Sequence, residues 1–344
     1  MTAAVKGRAG STPALDVRNL KVDITMGHDH ITVIDDVCFS VSAGEAIGLV
    51  GESGSGKSLL SMAVLGVLPG NVEVSAGEVF VGGQEMLHLS PKARRRALAR
   101  AASLVLQDSM SALDPCFTVG NQLKEAYKLQ QGLKGDELET ACVKSLERLR
   151  IPSPREILSR YPHELSGGMR QRVCSAIALA GSPQVLIADE PTTALDVTTQ
   201  AQYLALLKSL QESSGFALVL VTHDLSIVRQ MCQRVIVMYA GQVVENGPLN
   251  EVLSSPAHPY TRALFEALPR LDTKTLKTIK GQAPDPSSYP RVGCRFAARC
   301  EHARPICVEQ TPQMTSRSES GLSARCFGTE PGGWVERGPM EVDL

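Results

Sequence analysis

One stretch of eight residues constrains this chain more than any other. Residues 51–58 read Gly-Glu-Ser-Gly-Ser-Gly-Lys-Ser, which fits the pattern G-x-x-x-x-G-K-S. The apolar run at 46–50 before it has the composition of a strand, and residues 59–65 after it can continue as a helix. A strand, a glycine-rich loop and a helix in this order predict a loop that binds the phosphates of a nucleotide.

The residues of this phosphate loop carry specific chemistry. Its glycines let successive backbone N–H groups turn toward phosphate oxygens, and the start of the helix adds partial positive charge. We expect Lys57 to reach the β- and γ-phosphates and the Ser58 hydroxyl to bind Mg²⁺. The alternative is a Gly/Ser-rich surface loop with a chance lysine. The predicted nucleotide-binding residues here are Gly51, Glu52, Ser53, Gly54, Ser55, Gly56, Lys57 and Ser58.

The composition excludes several classes of protein. The 344 residues carry a formal net charge of −1, so the overall charge gives no argument for nucleic-acid binding, and only local basic patches stay open. Because no apolar run approaches the roughly 18 residues that span a bilayer, and no signal-peptide pattern opens the chain, we expect a cytosolic protein. Any role at a membrane would then require a partner.

Hydrophobic periodicity predicts an α/β fold. Alternating apolar residues at 15–22, 31–34 and 37–41 indicate an antiparallel β subdomain before the phosphate loop. After the loop, apolar strands alternate with helical segments, one of which spans 118–150, and this alternation favours a mostly parallel sheet.

Polar residues stand where the predicted strands end. Gln107 ends one strand, Asp189 and Glu190 end another, and His223 follows a third. Between the first two, Ser166-Gly167-Gly168 opens directly into a helix and predicts a second anion site, since its backbone N–H groups lie at a helix N-terminus.

The order of these motifs, with Asp196 shortly after the acid pair, resembles the ATP-binding-cassette (ABC) ATPase family over residues 14–250. The resemblance implies an ABC-type P-loop fold with a mixed sheet core, an antiparallel β subdomain and a helical subdomain. It implies that Asp189, with Ser58 and Gln107, holds Mg²⁺, and that Glu190 activates the attacking water. It also implies that His223 stabilises charge near the γ-phosphate and that Gln107 senses the state of the site.

The same resemblance implies a dimer. In the family, the Ser166-Gly167-Gly168 turn completes the ATP site of a facing subunit, so the nucleotide contacts of this turn would serve a partner. Asp196 is a further predicted nucleotide-binding residue. Since the chain has one phosphate loop, it needs a second ABC ATPase subunit, either a copy of itself or a homologue.

Two departures from the family pattern stand out. Met169 follows the Gly-Gly pair where the family usually has Gln, but it lies just past the turn and leaves the backbone donors in place. The family often stacks adenine on an aromatic side chain, whereas residues 24–31 contain none, so His28 or Met26 would substitute.

The sequence changes character after residue 250. Residues 255–264 read SPAHPYTRAL, and Cys294, Cys300, Cys307 and Cys326 follow. This stretch and the cysteines resemble the ATPase subunits of bacterial dipeptide/oligopeptide importers. We therefore predict three parts: a flexible N-terminal tail (1–13), the ABC ATPase domain (14–250) and a C-terminal extension (251–344).

The four late cysteines form a candidate metal site. Five, six and eighteen residues separate them, which is wider than the C-x-x-C knuckles of common zinc sites. Four thiolates also suit a [4Fe–4S] cluster, and the resemblance favours that cluster. Zinc, or four reduced thiols without metal, stay open. A cluster here would serve as a staple for a small segment that lacks a large core.

The resemblance implies an ATP-hydrolysing importer subunit, peripheral at the cytoplasmic face of the bacterial inner membrane. Its partners would be two integral membrane permease subunits, received between Gln107 and Leu165, and an extracytoplasmic solute-binding protein. Di- or oligopeptides are the expected cargo, and nickel or another small solute is the first alternative. A soluble ABC ATPase acting on nucleic acid or ribosomes is an alternative of another class, but such proteins usually carry two cassettes or a long coiled-coil insertion.

Overall fold

The computed structural model describes residues 12–27, 29–109, 111–267 and 278–335. Within these ranges the strands are β1 (Leu15–Met26), β2 (Asp29–Val41), β3 (Ala46–Val50), β4 (Val72–Val81), β5 (Gln84–Glu85), β6 (Ala102–Val105), β7 (Val185–Asp189), β8 (Ala217–Val221), β9 (Arg234–Tyr239), β10 (Gln242–Pro248), β11 (Thr315–Ser316) and β12 (Ser323–Ala324).

The α-helices of the same ranges are α1 (Lys57–Val64), α2 (Pro91–Ala101), α3 (Val119–Gln131), α4 (Gly135–Arg148), α5 (Pro154–Ile157), α6 (Gly167–Leu179), α7 (Val197–Ser214), α8 (Leu225–Met231), α9 (Leu249–Ser254), α10 (Pro259–Glu266) and α11 (Pro305–Glu309). No helix in the described ranges is both long enough and apolar enough to cross a bilayer.

A mixed sheet forms the centre of the molecule. Its strand order is β11-β12-β10-β9-β3-β8-β7-β6, and the run from β9 to β6 is parallel throughout. β3, β7 and β8 are buried along their whole length, which explains why they read as continuous apolar runs rather than as alternating ones. Because the parallel strands end at one edge, the loops after β3, β6, β7 and β8 meet there. We call these loops the nucleotide edge.

An antiparallel sheet of order β2-β1-β4-β5 covers one face of the mixed sheet; β1 and β2 precede the phosphate loop, and β4 and β5 follow α1. The predicted antiparallel β subdomain is therefore present, but residues 31–34 and 37–41 belong to the single strand β2 rather than to two strands. The polar pair between them lies in an irregular stretch of the ladder, where Asp36 takes φ 54° and the register with β1 shifts. Such a bulge interrupts the apolar alternation without ending the strand.

The hydrophobic core lies on both faces of the mixed sheet. Within β3, Ala46 and Val50 face one core while Ile47 and Leu49 face the other, as the two-residue period of a strand requires. The first core also contains apolar residues of α3, α4, α6, α7 and α8; the second contains those of the antiparallel sheet and α1.

The helical segment predicted at 118–150 is two helices, α3 and α4. The break falls at Gly132, which takes φ 72° as the C-cap of α3, a conformation that favours glycine. α3 and α4 pack against α6, α5 packs against α4, and these helices form the helical subdomain. The predicted P-loop α/β fold, with a mixed sheet and an antiparallel subdomain, is confirmed.

The C-terminal extension returns to the mixed sheet. β12 pairs with β10 through Glu245↔Ala324 and Asn246↔Ser323, and β11 pairs with β12. Two short strands near the end of the described chain thus lengthen the sheet of the ATPase part. The tail residues 1–11 lie outside the described residues, as do 268–277 and 336–344 of the extension.

Candidate nucleotide-binding site

The phosphate loop runs from the end of β3 to the start of α1, as the sequence predicts. Gly56 caps α1 with φ 99°, and a Cβ added there would come within 2.6 Å of Ile34 Cδ1. Only glycine combines this backbone conformation with so close a neighbour. The Ser55 carbonyl accepts from the Gly241 N–H at 2.9 Å, which ties the loop to the turn between β9 and β10.

Lys57 lies folded back into its own loop. Its Nζ donates to the carbonyls of Gly51 at 2.8 Å and Glu52 at 3.0 Å, and to the Ser55 hydroxyl at 3.4 Å. Burial lowers the pKa of Lys57 below its ordinary value, although the nearby carboxylates of Glu190 and Asp189 oppose the shift. The lysine is thus held at the loop by bonds that phosphate oxygens can replace.

Asp189 ends β7 and lies beside Ser58. Both residues are predicted Mg²⁺ ligands. The Ser58 side chain is hydrogen-bonded to the Asp189 carboxyl, and burial raises the pKa of that carboxyl. Asp189 is 6% exposed, and its Oδ1 has no hydrogen-bond partner. A buried carboxylate oxygen without a partner is costly, so this atom is suited to a cation.

Glu190 gathers three side chains around its carboxylate. Oε1 lies 3.0 Å from His223 Nδ1, while Oε2 accepts from Gln107 Nε2 at 3.1 Å and from the Thr193 hydroxyl at 3.0 Å. The structure thus brings together the ends of β6, β7 and β8, as the sequence predicts. Gln107 bonds Glu190 rather than Ser58 or Asp189. The sequence reasoning missed Thr193.

The environment of Glu190 keeps it ionised. Burial would raise its pKa, but the hydrogen bonds of His223 and Thr193 and the charge of Lys57 outweigh burial and lower the pKa below its ordinary value. Glu190 also takes φ 43°, a strained conformation for a side chain with a Cβ, while its N–H donates to the Val221 carbonyl at 2.8 Å. A carboxylate held this way can accept a proton from water.

The Ser166-Gly167-Gly168 turn packs against the start of α7. Ser166 caps α6 through the Met169 N–H at 3.3 Å, and a Cβ on Gly168 would meet Thr199 Cγ2 at 2.6 Å. No hydrogen bond within the described ranges joins this turn to residues 51–58. Asp196 caps α7 by accepting from the Thr199 N–H at 3.0 Å. These residues form their own cluster.

The two departures from the family pattern have different outcomes. Met169 packs against the hydrophobic core, and its N–H serves the cap of α6, so the turn is intact. Met26, one candidate for adenine stacking, ends β1 and is 61% exposed. His28, the other candidate, lies outside the described residues.

The C-terminal extension reaches the phosphate loop, which the sequence reasoning missed. Tyr260, Tyr289 and Arg299 each hydrogen-bond a residue of the loop. Tyr260 lies in the stretch 255–264 and Arg299 directly precedes Cys300, but nothing in the spacing of the three residues indicates which surface they meet.

Cys294, Cys300, Cys307 and Cys326 line a single cavity beneath α10, together with His258 and Phe296. All four are free thiols, and burial raises the pKa of Cys294 to about 12. In the part of the chain that the structure describes, no three His, Cys, Asp or Glu side chains are grouped to hold a metal ion.

A phosphate loop, an acid pair and a serine-glycine turn on this mixed-sheet fold define a cassette-type nucleotide triphosphatase. Residues 34–193 match the family described as ABC transporter, and residues 244–307 match the oligopeptide/dipeptide transporter C-terminal region. The chain belongs to the ABC transporter family, among the ATP-binding proteins that carry this C-terminal region. This membership confirms the predicted enzyme class, an ATPase.

Two relatives and one solved structure are consistent with this family assignment. A Brucella abortus (strain 2308) protein named for peptide import and ATP binding is 42% identical over 95% of this chain and 97% of its own. The dipeptide transport ATP-binding protein DppD of Escherichia coli (strain K12) is 41% identical over 91% and 95%. A dimeric ATP-binding cassette solved in a post-hydrolysis state with ADP and Pi is 27% identical, with a TM-score of 0.60 over 68% and 98%.

Proposed function

We propose that this chain binds and hydrolyses MgATP to drive the import of di- or oligopeptides through a membrane permease. The arrangement of Glu190 with His223, Gln107 and Thr193 beside the phosphate loop is the observation that carries the ATPase part. The names of the similar proteins, which concern peptide import and dipeptide transport, support the cargo.

The chain's own residues supply the chemistry. Backbone N–H groups of the phosphate loop other than that of Glu52, together with the Lys57 ammonium, bind the phosphates, and the Glu190 carboxylate takes a proton from the attacking water. His223 donates toward the γ-phosphate. Ser58 and Asp189 would hold Mg²⁺, with Gln107 as a further ligand, and the unpaired Asp189 Oδ1 supports the part of Asp189. When bound, Mg²⁺ neutralises charge on the phosphates.

The turn at 166–168 and Asp196 serve a second ATPase subunit that faces this one head to tail. The lack of a hydrogen bond between this turn and residues 51–58 in the described ranges supports this interpretation, as does the dimeric state of the related cassette. Val197, which follows Asp196, is 83% exposed, as expected of a residue that a partner covers. The partner is a copy or a homologue.

Two permease subunits dock on the helical subdomain, so the chain is peripheral at the cytoplasmic face of the inner membrane. Phe117 and Tyr161 are 51% and 41% exposed, and they flank the backbone hydrogen bond from Val119 N–H to the Arg160 carbonyl at 2.9 Å. Exposed aromatic residues on neighbouring segments suit a protein interface. An extracytoplasmic solute-binding protein delivers the cargo, and nucleic acid has no role.

The ATPase domain spans 14–250, and the four cysteines of the extension 251–344 would be the ligands of a [4Fe–4S] cluster. The single cavity that these free thiols line supports the ligand set. Anaerobic purification with iron, sulfide and zinc analysis tests it: about four irons per chain support the cluster. Stoichiometric zinc, or a folded protein without either metal, contradicts it.

The test of the import function is purification of this chain from native membranes in mild detergent, followed by mass spectrometry. Two multi-span permeases and a solute-binding protein that carries a peptide support the proposal. A binding protein that carries nickel or another small solute would assign a different cargo. Ribosomal or DNA-associated partners without a permease would overturn the transport function and leave the ATPase chemistry intact.

A further inference from the structure

The C-terminal extension contacts the phosphate loop through three side chains. The Glu52 N–H donates to the Tyr260 hydroxyl at 2.8 Å, and the Tyr289 hydroxyl donates to the Gly54 carbonyl at 3.4 Å. The Arg299 guanidinium donates two hydrogen bonds to the Glu52 carboxylate, from Nη1 to Oε2 at 2.7 Å and from Nη2 to Oε1 at 3.1 Å. The first residue after Gly51 is therefore held by main chain and side chain alike.

Arg299 is fixed in place for this contact. Its side chain is 7% exposed, and its Nε donates to the Lys280 carbonyl at 2.8 Å. Nη2 also donates to the Gly281 carbonyl at 3.2 Å, and Nη1 lies 3.4 Å from the Tyr239 hydroxyl. A guanidinium held on every side loses little further freedom when it binds a carboxylate, so the pair with Glu52 is a strong one.

Charge gives this pair a consequence for nucleotide binding. Glu52 is the one acidic residue of the loop 51–58, and the loop's task is to bind a polyphosphate. An unpaired carboxylate there would repel the incoming anion, whereas a carboxylate paired with a buried guanidinium presents little net charge. The Tyr260 hydroxyl accepts the hydrogen bond of the Glu52 N–H. This bond fixes the backbone that leads into the phosphate-binding turn.

We propose that Arg299 and Tyr260 are positioning residues for ATP binding, through which the C-terminal extension neutralises Glu52 and holds the phosphate loop in its binding conformation. This inference rests on the proposed ATPase function. Arg299 directly precedes Cys300, so the segment that carries the cysteines also contacts the phosphate loop. The extension then contributes to ATP binding.

Binding of a fluorescent ATP analogue to the purified full-length chain tests the proposal. Arg299→Gln leaves Glu52 unpaired, so the Kd should rise about tenfold. The double variant Glu52→Gln/Arg299→Gln removes the repelling charge as well and should recover most of that loss. Tyr260→Phe deletes one hydroxyl and should weaken binding about threefold.

Arg304→Gln is the matched control, since Arg304 belongs to the same extension but its guanidinium lies over the Trp334 ring, away from the loop. It should bind the analogue as the wild type does. A purely structural role for Arg299 predicts that the double variant binds no better than Arg299→Gln, and this result would overturn the proposal. So would unchanged affinity in Arg299→Gln.

The ATPase kinetics separate positioning from catalysis. Arg299→Gln should raise KM for ATP about tenfold while kcat changes less than about twofold, since Glu190 and its partners are untouched. If the wild-type chain binds no ATP analogue, the proposed function itself fails. If it binds and Arg299→Gln binds equally well, only the present inference fails.

Discussion

The nucleotide edge and the C-terminal extension meet at the same loop but are built on different principles. At the edge, parallel strands end side by side, so polar residues that follow apolar runs must converge. In the extension, Arg299 meets Glu52 across 247 residues of chain, and no strand geometry dictates that meeting. The comparison teaches that a motif predicts a contact only where regular backbone structure determines the neighbours.

The two regions also differ in what their charged groups do. Glu190 lies among groups that keep it ionised and available to water. Glu245, beneath the extension, is fully buried and accepts two backbone N–H bonds, from Ala257 at 2.7 Å and His258 at 2.8 Å. The arrangement around Glu190 suits catalysis, and the arrangement around Glu245 suits stability. Substitution of Glu190 should therefore change ATP hydrolysis, and substitution of Glu245 should change the free energy of unfolding.

The largest expected effect belongs to the nucleotide edge. Glu190→Gln keeps the size of the side chain but cannot take a proton, so ATP hydrolysis should fall at least about a hundredfold. Binding of an ATP analogue should stay within about twofold of wild type, since the phosphate loop is unchanged. Phosphate release and analogue titration measure the two quantities.

Glu212→Gln is the matched control for this variant, because Glu212 is exposed on α7. It should hydrolyse ATP normally. Turnover by Glu190→Gln close to the wild-type rate would contradict the assignment of Glu190 as the base.

The second-largest expected effect concerns the packing of the extension and is a loss of folding stability. Glu245→Gln places an amide nitrogen against one of two N–H donors, so the free energy of unfolding should fall by about 2 kcal/mol. Urea denaturation followed by circular dichroism measures it. Loss no greater than that of Glu212→Gln would show that the start of α10 is held by other contacts.

A smaller effect, with a defined pH dependence, tests the link between β2 and the extension. Asp35 Oδ2 accepts from Arg295 Nη2 at 3.0 Å, and Oδ1 lies 2.9 Å from Lys21 Nζ. Burial would raise the pKa of Asp35, but the Lys21 hydrogen bond and the Arg295 charge outweigh it and lower the pKa below 3.8. Asp35→Asn should therefore cost about 1 kcal/mol at pH 7.

The sign of the pH dependence follows from that lowered pKa. The stabilisation by the Asp35 carboxylate is present above the unfolded-state pKa and is lost as the pH falls through the folded-state pKa. The difference between wild type and Asp35→Asn should thus narrow below about pH 4. Urea denaturation at pH 7 and at about pH 3 measures it, and a difference that grows on acidification would contradict the account.

The sequence indicated which polar residues end the strands of the nucleotide edge, and the roles assigned to them stay predictions. Gln107, Asp189, Glu190 and His223 lie where apolar runs end, and the structure brings three of them into direct contact. The sequence reasoning missed Thr193, because a hydroxyl residue three positions after an acid is common in any sequence. Only the folded turn after β7 shows that the Thr193 hydroxyl bonds Glu190.

The sequence could not predict how the extension packs. β11 and β12 have two residues each, too few for any periodic pattern. Asp36 interrupts the pattern of β2 because its bulge is a property of strand pairing rather than of local composition. The roles of His28, Met26 and the four cysteines stay predictions.

The most direct test of the central claim is uptake by the complete transporter in proteoliposomes. ATP should drive accumulation of a labelled dipeptide with the wild-type chain, and Glu190→Gln in both ATPase positions, or in this chain alone if the partner is a homologue, should abolish or strongly reduce it. Dipeptide uptake that persists undiminished with Glu190→Gln would contradict the catalytic assignment, and ATP-driven uptake of nickel without peptide would contradict the cargo.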